Sequence, residues 1–423
     1  MQITRTCLRS NAVALSFGPK LHAMIDTSAV GSLLPSFVQE RVEAFHTAGI
    51  RGRWHGRHIL RGRRLPSPGS TVVDSNDYLR LAGDKRIVDA VVESLDAMRG
   101  ARLASAVLLH EEHPQTVLER EFARYLGSEA GVFTQSGYDA NVGLLQTLAG
   151  PEVPVYVDML AHMSLWAGAK AAGATARPFR HNDTAHLLRR IEEHGPGVIA
   201  VDSMYSVCGS LAPLAALCDV AEQTGCVLVV DEAHSLGTHG PEGAGMVAQA
   251  GLTARVHFRT TSLSKAFAKR AGYITCPDED FVEYFKMTSY PAVFASTLVP
   301  SDLVQIAATL DVVRHDEWRR TRLREVATIL REGLTGLGYD LRGSGAHIMS
   351  LPTGPDETVI EVRDIMEDHD VFGSVFCPPA TPRNRTALRL SLHCDLTDQD
   401  LDRIIHAGEA VRPLITAGRS STS

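Results

Sequence analysis

Cysteine is scarce in this chain and scattered where it occurs. Seven residues among 423, at positions 7, 208, 218, 226, 276, 377 and 394, form no C-x-x-C pair and come to an odd total. This excludes a disulfide framework and a thiolate zinc site and points to a reducing compartment, so a cytoplasmic protein is expected. No run of 18 apolar residues occurs and no apolar signal core stands near the N-terminus, so neither a membrane span nor export is expected. Positive charge is not in excess. The 42 Lys and Arg against 49 Asp and Glu leave a formal net charge of -7, which gives no global attraction to nucleic acid or an anionic membrane. A phosphate loop of the form G-x-x-x-x-G-K-[ST] is also absent, which removes the helicase reading of Asp231-Glu232-Ala233-His234. In His110-Glu111-Glu112-His113 the histidines lie three rather than four residues apart and Pro114 follows, so the segment reads as a loop and no metal site is expected.

What is present suits a globular protein with at least two cores, since 44% of residues are hydrophobic and 22% charged over a length of 423. Residues 1–73 read as a polar, Gly/Pro-punctuated arm with one helix at 34–48. Its basic stretch 51–64, RGRWHGRHILRGRR, is either a solvated face or a landing strip for a phosphate-bearing substrate such as a coenzyme A thioester. From residue 74 the texture changes. Short apolar runs at 131–134, 155–157, 198–202, 227–231, 256–260 and 272–275 alternate with helical patterns such as 116–126, 184–194 and 213–224. Continuous apolar strands separated by helices predict a mostly parallel α/β sheet covered on both faces. Ligands of such sheets sit beyond the carboxyl ends of the strands, where Asp202 and Asp231 fall. Near residue 300 the pattern shifts to one long helix at 301–337, then to strand and helix in turn. The expected organisation is an arm at 1–73, a large domain at 74–300 and a smaller C-terminal α/β domain at 301–423.

The stretch 227–265 carries the chemistry. A buried strand ends in Asp231, His234 follows three residues on, and a second strand leads into Thr260-Thr261-Ser262-Leu263-Ser264-Lys265. Pyridoxal phosphate needs such groups: an amine to hold it as a Schiff base, a carboxylate to keep its ring nitrogen protonated, and hydroxyls for its phosphate. The plainer alternative is that Asp231 only caps the next helix. Ser136-Gly137-Tyr138, after the strand 131–134 and opening a helix, offers backbone amides and a hydroxyl to a phosphate, or is an ordinary turn. His162, just after the strand 155–157, either stacks on a flat ring or is a satisfied histidine.

An ordered set of motifs then resembles one family: Asn76-Asp77-Tyr78-Leu79, Ser136-Gly137-Tyr138, Ala161-His162, Tyr205-Ser206 with Gly209, Asp231-Glu232-Ala233-His234-Ser235, Ser262 to Lys265, Ser296-Thr297 and Leu388-Arg389-Leu390. The set, spanning about 74 to 412, is similar to the α-oxoamine synthases, fold-type-I pyridoxal phosphate enzymes. Several phrases, among them SNDYL and FGSVFCPPAT, resemble the branch of quorum-sensing autoinducer synthases. The resemblance implies a decarboxylative condensation of an acyl-CoA with an amino acid, or S-adenosylmethionine, to an α-aminoketone, in a homodimer. By the same resemblance Lys265 holds the cofactor and moves the α-proton, Asp231 pairs with the ring nitrogen, His234 and Ser206 hold the ring oxygen, and His162 stacks. Ser136, Gly137, Tyr138, Ser262 and, from a neighbouring subunit, Ser296 and Thr297 take the phosphate; Asn76 and Arg389 take the amino-acid carboxylate. Two departures from the glycine-using members, the segment 102–107 and Gln115 before Leu118-Glu119, imply a different amino-acid pocket. A glycine-using synthase of 8-amino-7-oxononanoate or 5-aminolevulinate type, an aminotransferase on the same fold and a non-catalytic partner subunit remain as alternatives.

Overall fold

The computed structural model describes residues 34–95 and 104–417. Its larger sheet has seven strands: β2 (Ala130–Thr134), β3 (Val155–Asp158), β4 (Ala176–Phe179), β5 (Val198–Asp202), β6 (Val227–Asp231), β7 (Phe258–Ser262) and β8 (Gly272–Cys276), in the order β2-β8-β7-β6-β5-β3-β4. Only β8 runs against its neighbours; the other pairings are parallel. The central strands are apolar along their whole length because helices cover both faces. Every residue of β5 is buried, as is every residue of β6 but the first. A second sheet, ordered β1-β10-β11-β9, joins β1 (Thr71–Val73) to β9 (Ile348–Gly354), β10 (Val371–Phe376) and β11 (Thr386–Ser391). The arm thus gives its last three residues to the smaller sheet, where β1 pairs in parallel with β10.

Several elements differ from the sequence reading for local reasons. β4 was not expected, because Ala-Arg-Pro-Phe is short and contains proline; it is tolerated because the strand lies at the sheet edge, where Pro178 needs no outward partner. The single long helix is two, Pro300–His315 and Glu317–Gly336. Asp316 between them leaves the helical region at φ -88° and ψ 61°, and its carboxylate binds Arg86 at 2.6 Å and Arg319 at 3.0 Å. The helix at the arm is shorter, Ser36–Phe45, and passes into a wide turn over His46–Arg53. β7 begins two residues late, set by its register with β6, Asp231 lying opposite Thr260. His113 turns out to be a cap: its Nδ1 accepts the Gln115 N–H at 3.2 Å, and Pro114 opens the helix Pro114–Leu126.

Beneath the sheet lies a buried ion pair. Arg259 and Glu232, 4% and 1% exposed, meet at 2.5 Å. The other carboxylate oxygen of Glu232 accepts from the Val247 N–H at 2.9 Å and the Ser235 hydroxyl at 3.0 Å, while Arg259 Nη1 donates to the Leu126 carbonyl at 2.8 Å. The acidic residue following Asp231 therefore fastens the loop 232–247 to β7. Removing it strands a buried guanidinium. Glu232→Ala should lose about 3 to 5 kcal/mol of unfolding free energy in urea titration; a loss below 1 kcal/mol would show the pair to be dispensable.

Candidate active site

The parallel register of β5 and β6 sets Asp202 beside Asp231 at the carboxyl end of the sheet. Asp231 is held from two sides: Oδ1 accepts the Ala233 N–H at 2.8 Å and Oδ2 accepts Asn141 Nδ2 at 2.6 Å. Asn141 is in turn fixed, since its Nδ2 also reaches Ser164 Oγ at 2.8 Å and its Oδ1 accepts from Thr260 Oγ1 at 2.6 Å. Sequence reasoning missed Asn141. The available signal was its place four residues after Gly137, one turn along the same face of the helix Gly137–Leu148.

These groups line a cavity of about 190 Å³, together with Ser136, Gly137, Tyr138, His162, His234, Ser262, Ser264 and Lys265. Each terminus contributes for a structural reason. Ser136 caps its helix, its Oγ accepting the Asp139 N–H at 3.1 Å, so its hydroxyl is already engaged. Gly137 is required by close approach: a Cβ there would lie 2.5 Å from that of Ser262. His162 caps the helix Met163–Ala171, and its backbone N–H donates to Asp202 at 3.1 Å, which places the ring at the cavity wall. Lys265 sits at the first turn after β7, opposite.

The cavity opens into a cleft of about 920 Å³ between the two sheets. His162, His234 and Lys265 face both spaces, and Asn76, Ser206 and Arg389 line the cleft. Arg389 on β11 donates from Nη2 to Asn76 Oδ1 at 3.0 Å and from Nη1 to the Ser206 carbonyl at 2.9 Å, while its Nε has no partner among the described residues. A buried guanidinium with a spare donor beside an amide is a receptor for a carboxylate. Tyr78, which the sequence reading passed over, ties this group to the first: its hydroxyl lies 2.6 Å from His234 Nδ1 and 3.1 Å from Asn76 Oδ1. One wall of the cleft is apolar, with Met159, Leu160, Met163 and Trp166.

Electrostatics follow burial. Burial, and then the Lys265 and Arg389 cations, hold the His234 imidazole well below its ordinary range, so it is neutral; burial pushes the Tyr78 phenol upward. Asp202 is driven well above the usual carboxylate range by burial and then by Asp231 beside it. For Lys265 burial lowers the ammonium pKa and Arg389 adds to that, whereas Asp231 and Asp202 pull it back. A depressed lysine presents more free amine near neutrality, the form that attacks an aldehyde.

Other expectations fall elsewhere. In its own chain neither Ser296 nor Thr297 lines the cavity or the cleft. The Thr297 N–H donates to the Ala104 carbonyl at 2.7 Å, and the Ser296 carbonyl accepts from the Gln135 side chain. Among the described residues of the segment expected to form a different amino-acid pocket, none lines the cavity or the cleft of its own chain. Arg102 and Leu103 lie outside the described residues, Ser105 bridges to Ser296, and Gln115 is buried between Glu119 at 3.0 Å and the Leu298 N–H at 3.1 Å. The basic arm lies along the acidic helix Asp356–Asp368: Arg53 binds Asp356 at 2.9 Å, Arg57 binds Asp364, Arg63 binds Asp368 at 3.0 Å, and Arg64 binds Asp370 at 2.6 Å just beyond it. Four of the six arginines of 51–64 are thus paired there and Arg51 pairs with Glu43 at 2.7 Å, which speaks against the landing-strip reading. Among the described residues no cluster of His, Cys, Asp and Glu could hold a metal ion and no helix is long and apolar enough to cross a membrane.

Comparison with known proteins agrees with this geometry. The family model for aminotransferase class I and II matches residues 71–407. The CAI-1 autoinducer synthase of Vibrio campbellii is 42% identical over 374 residues, 88% of this chain and 94% of its own length. The 8-amino-7-oxononanoate synthase of Alkalilimnicola ehrlichii is 32% identical over 352 residues, 81% of this chain and 89% of its own. Among solved structures, the serine palmitoyltransferase of Sphingomonas wittichii shares the fold with a TM-score of 0.79 at 24% identity, covering 92% of this chain and 100% of that one.

The opposing influences on Lys265 can be separated. Arg389→Gln removes a cation that depresses the amine, so the pH midpoint for modification of Lys265 by an amine-directed reagent should rise. Asp231→Asn removes a carboxylate that raises it, so the midpoint should fall. Peptide mass mapping across pH reads both, and shifts of the same sign would contradict the assignment of charges.

Proposed function

Because this chain belongs to the class I and II aminotransferase family, and within it to the pyridoxal-phosphate-dependent α-oxoamine synthases that condense an acyl-CoA with an amino acid to an aminoketone, we propose that its product is an α-aminoketone precursor of a quorum-sensing signal. The similarity to an autoinducer synthase at 42% identity supports this choice over an 8-amino-7-oxononanoate synthase, to which the chain is 32% identical. The observation that carries the reading is the convergence of Lys265, Asp231, His162 and His234 on one cavity that opens onto an apolar cleft. The residues present fit pyridoxal phosphate: a carboxylate fixed by two donors, a depressed lysine opposite, and a glycine-and-serine corner that a side chain would fill.

When bound, the cofactor supplies an electron sink for charge developing at the amino acid's α-carbon. The chain's own residues do the rest. Lys265 holds the cofactor through its amine, then takes and returns the α-proton. Asp231 would pair with the ring nitrogen, its carboxylate kept from turning away by its two donors. Neutral His234, with Ser206, would hold the ring oxygen, and His162 would stack on the ring. Gly137, Tyr138 and Ser262 take the phosphate, with Ser136 contributing through the helix start that its hydroxyl caps. Ser296 and Thr297 serve the site of a neighbouring subunit, which makes the protein a homodimer. Asn76 and Arg389 receive the amino-acid carboxylate, and the apolar wall of Met159, Leu160, Met163 and Trp166 receives the acyl chain and keeps water from the reacting carbons.

We infer that the amino acid carries a side chain. Purified protein saturated with a medium-chain acyl-CoA and offered glycine, 2-aminobutyrate and S-adenosylmethionine in competition should turn over one of the latter two in preference, by roughly 10- to 200-fold in kcat/KM. Dominant glycine turnover would move the chain to the glycine-using branch. Turnover that requires an α-keto acid and ignores acyl-CoA would make it an aminotransferase.

A further inference from the structure

Among the described residues no acidic side chain lines the cleft, although acidic residues outnumber basic ones in the chain, 49 against 42. Its cations are Lys265 and Arg389 at the floor and Arg385 at the mouth. Arg385 and its neighbour Arg383 stand exposed on the segment 377–386, and among the described residues neither has a carboxylate partner. This is in contrast with Arg53, Arg57, Arg63 and Arg64 of the arm, each paired with a carboxylate on the acidic helix Asp356–Asp368 or at Asp370.

The segment that presents the two arginines is held in place at both ends. Cys377 packs in a small core with Ile59, Val359 and Ile360. The Ala380 N–H donates to the Cys377 carbonyl at 2.9 Å and the Arg385 N–H to the Pro382 carbonyl at 3.2 Å. Pro378, Pro379 and Pro382 limit its backbone freedom further. Beyond it β11 carries Arg389 four residues on, no more than about 13 Å away along the chain. An acyl-CoA brings an apolar chain, a thioester and, at the far end of its pantetheine arm, phosphates. The apolar wall and the floor account for the first two.

We propose that Arg385, with Arg383, binds the phosphates of the coenzyme A carrier at the mouth of the cleft. This rests on the acyl-CoA reading above and moves the anion site from the arm to this segment. A protein of net charge -7 repels a polyphosphate except where cations are locally uncompensated, and guanidinium forks match phosphate oxygens. The two arginines supply both conditions.

The test is equilibrium binding of free coenzyme A and of pantetheine, which lacks the phosphates, to the cofactor-loaded protein. The R383Q/R385Q variant should bind coenzyme A on the order of 10-fold more weakly than the parent, with pantetheine unchanged, and the parent's coenzyme A affinity should fall more steeply with salt. Equal losses for both ligands would make the arginines structural, and no loss for coenzyme A would place the phosphates elsewhere; either outcome overturns the proposal. A parent protein that binds coenzyme A in this selective way yet condenses no acyl-CoA with any amino acid breaks the functional reading and leaves this one standing.

Discussion

The carboxylate of Asp231 is the fixed point of the molecule. It ends a fully apolar strand, so its position is set by the sheet, and its orientation is set by the Ala233 N–H and Asn141 Nδ2. Asn141 is held in turn by Ser164 and Thr260, one from the helix behind His162 and one from β7. Three elements, the helices of Asn141 and Ser164 and the strand β7, thus agree on one geometry. Lys265 follows from it, because β7 is in register with β6 and delivers its lysine just beyond Ser262.

Placing two carboxylates, one lysine and one arginine in a partly buried space would be unfavourable were they not opposed. Asp202 is pushed upward by burial and then by Asp231, while Lys265, lowered by burial, feels both carboxylates and Arg389 at once. The balance leaves an anionic end at the sheet and a cationic end at the cleft. On the function proposed above, a substrate carboxylate and a carrier's phosphates would meet the cationic end, and a protonated ring nitrogen would meet Asp231.

What the sequence made legible was the part set by local pattern. β5 and β6 were readable from their unbroken apolar runs, and Asp231 and Lys265 from their places at strand ends. Harder to read were groups brought together by folding alone. Tyr78 and His234 lie 156 residues apart yet touch, and nothing in either neighbourhood announces it. Asn141 was hidden in a helix face. Charge in a linear sequence also misleads: the six arginines of 51–64 look like an anion site until four of them are seen to meet the acidic helix and Asp370, whereas Arg383 and Arg385, only two in an exposed segment, draw no notice. The segment near Gln115 shows the same limit, since its side chain meets Glu119 and the distant Leu298 N–H, which its neighbours in sequence do not announce.

The central claim is that Lys265 holds the cofactor opposite Asp231. Borohydride reduction of the protein loaded with pyridoxal phosphate, followed by peptide mapping, tests it directly. The account predicts a pyridoxyl label on the peptide containing Lys265 and none in Lys265→Ala; a label on Lys269, which is bound instead to Asp302 at 2.6 Å, or on any other lysine of the parent protein, would contradict it.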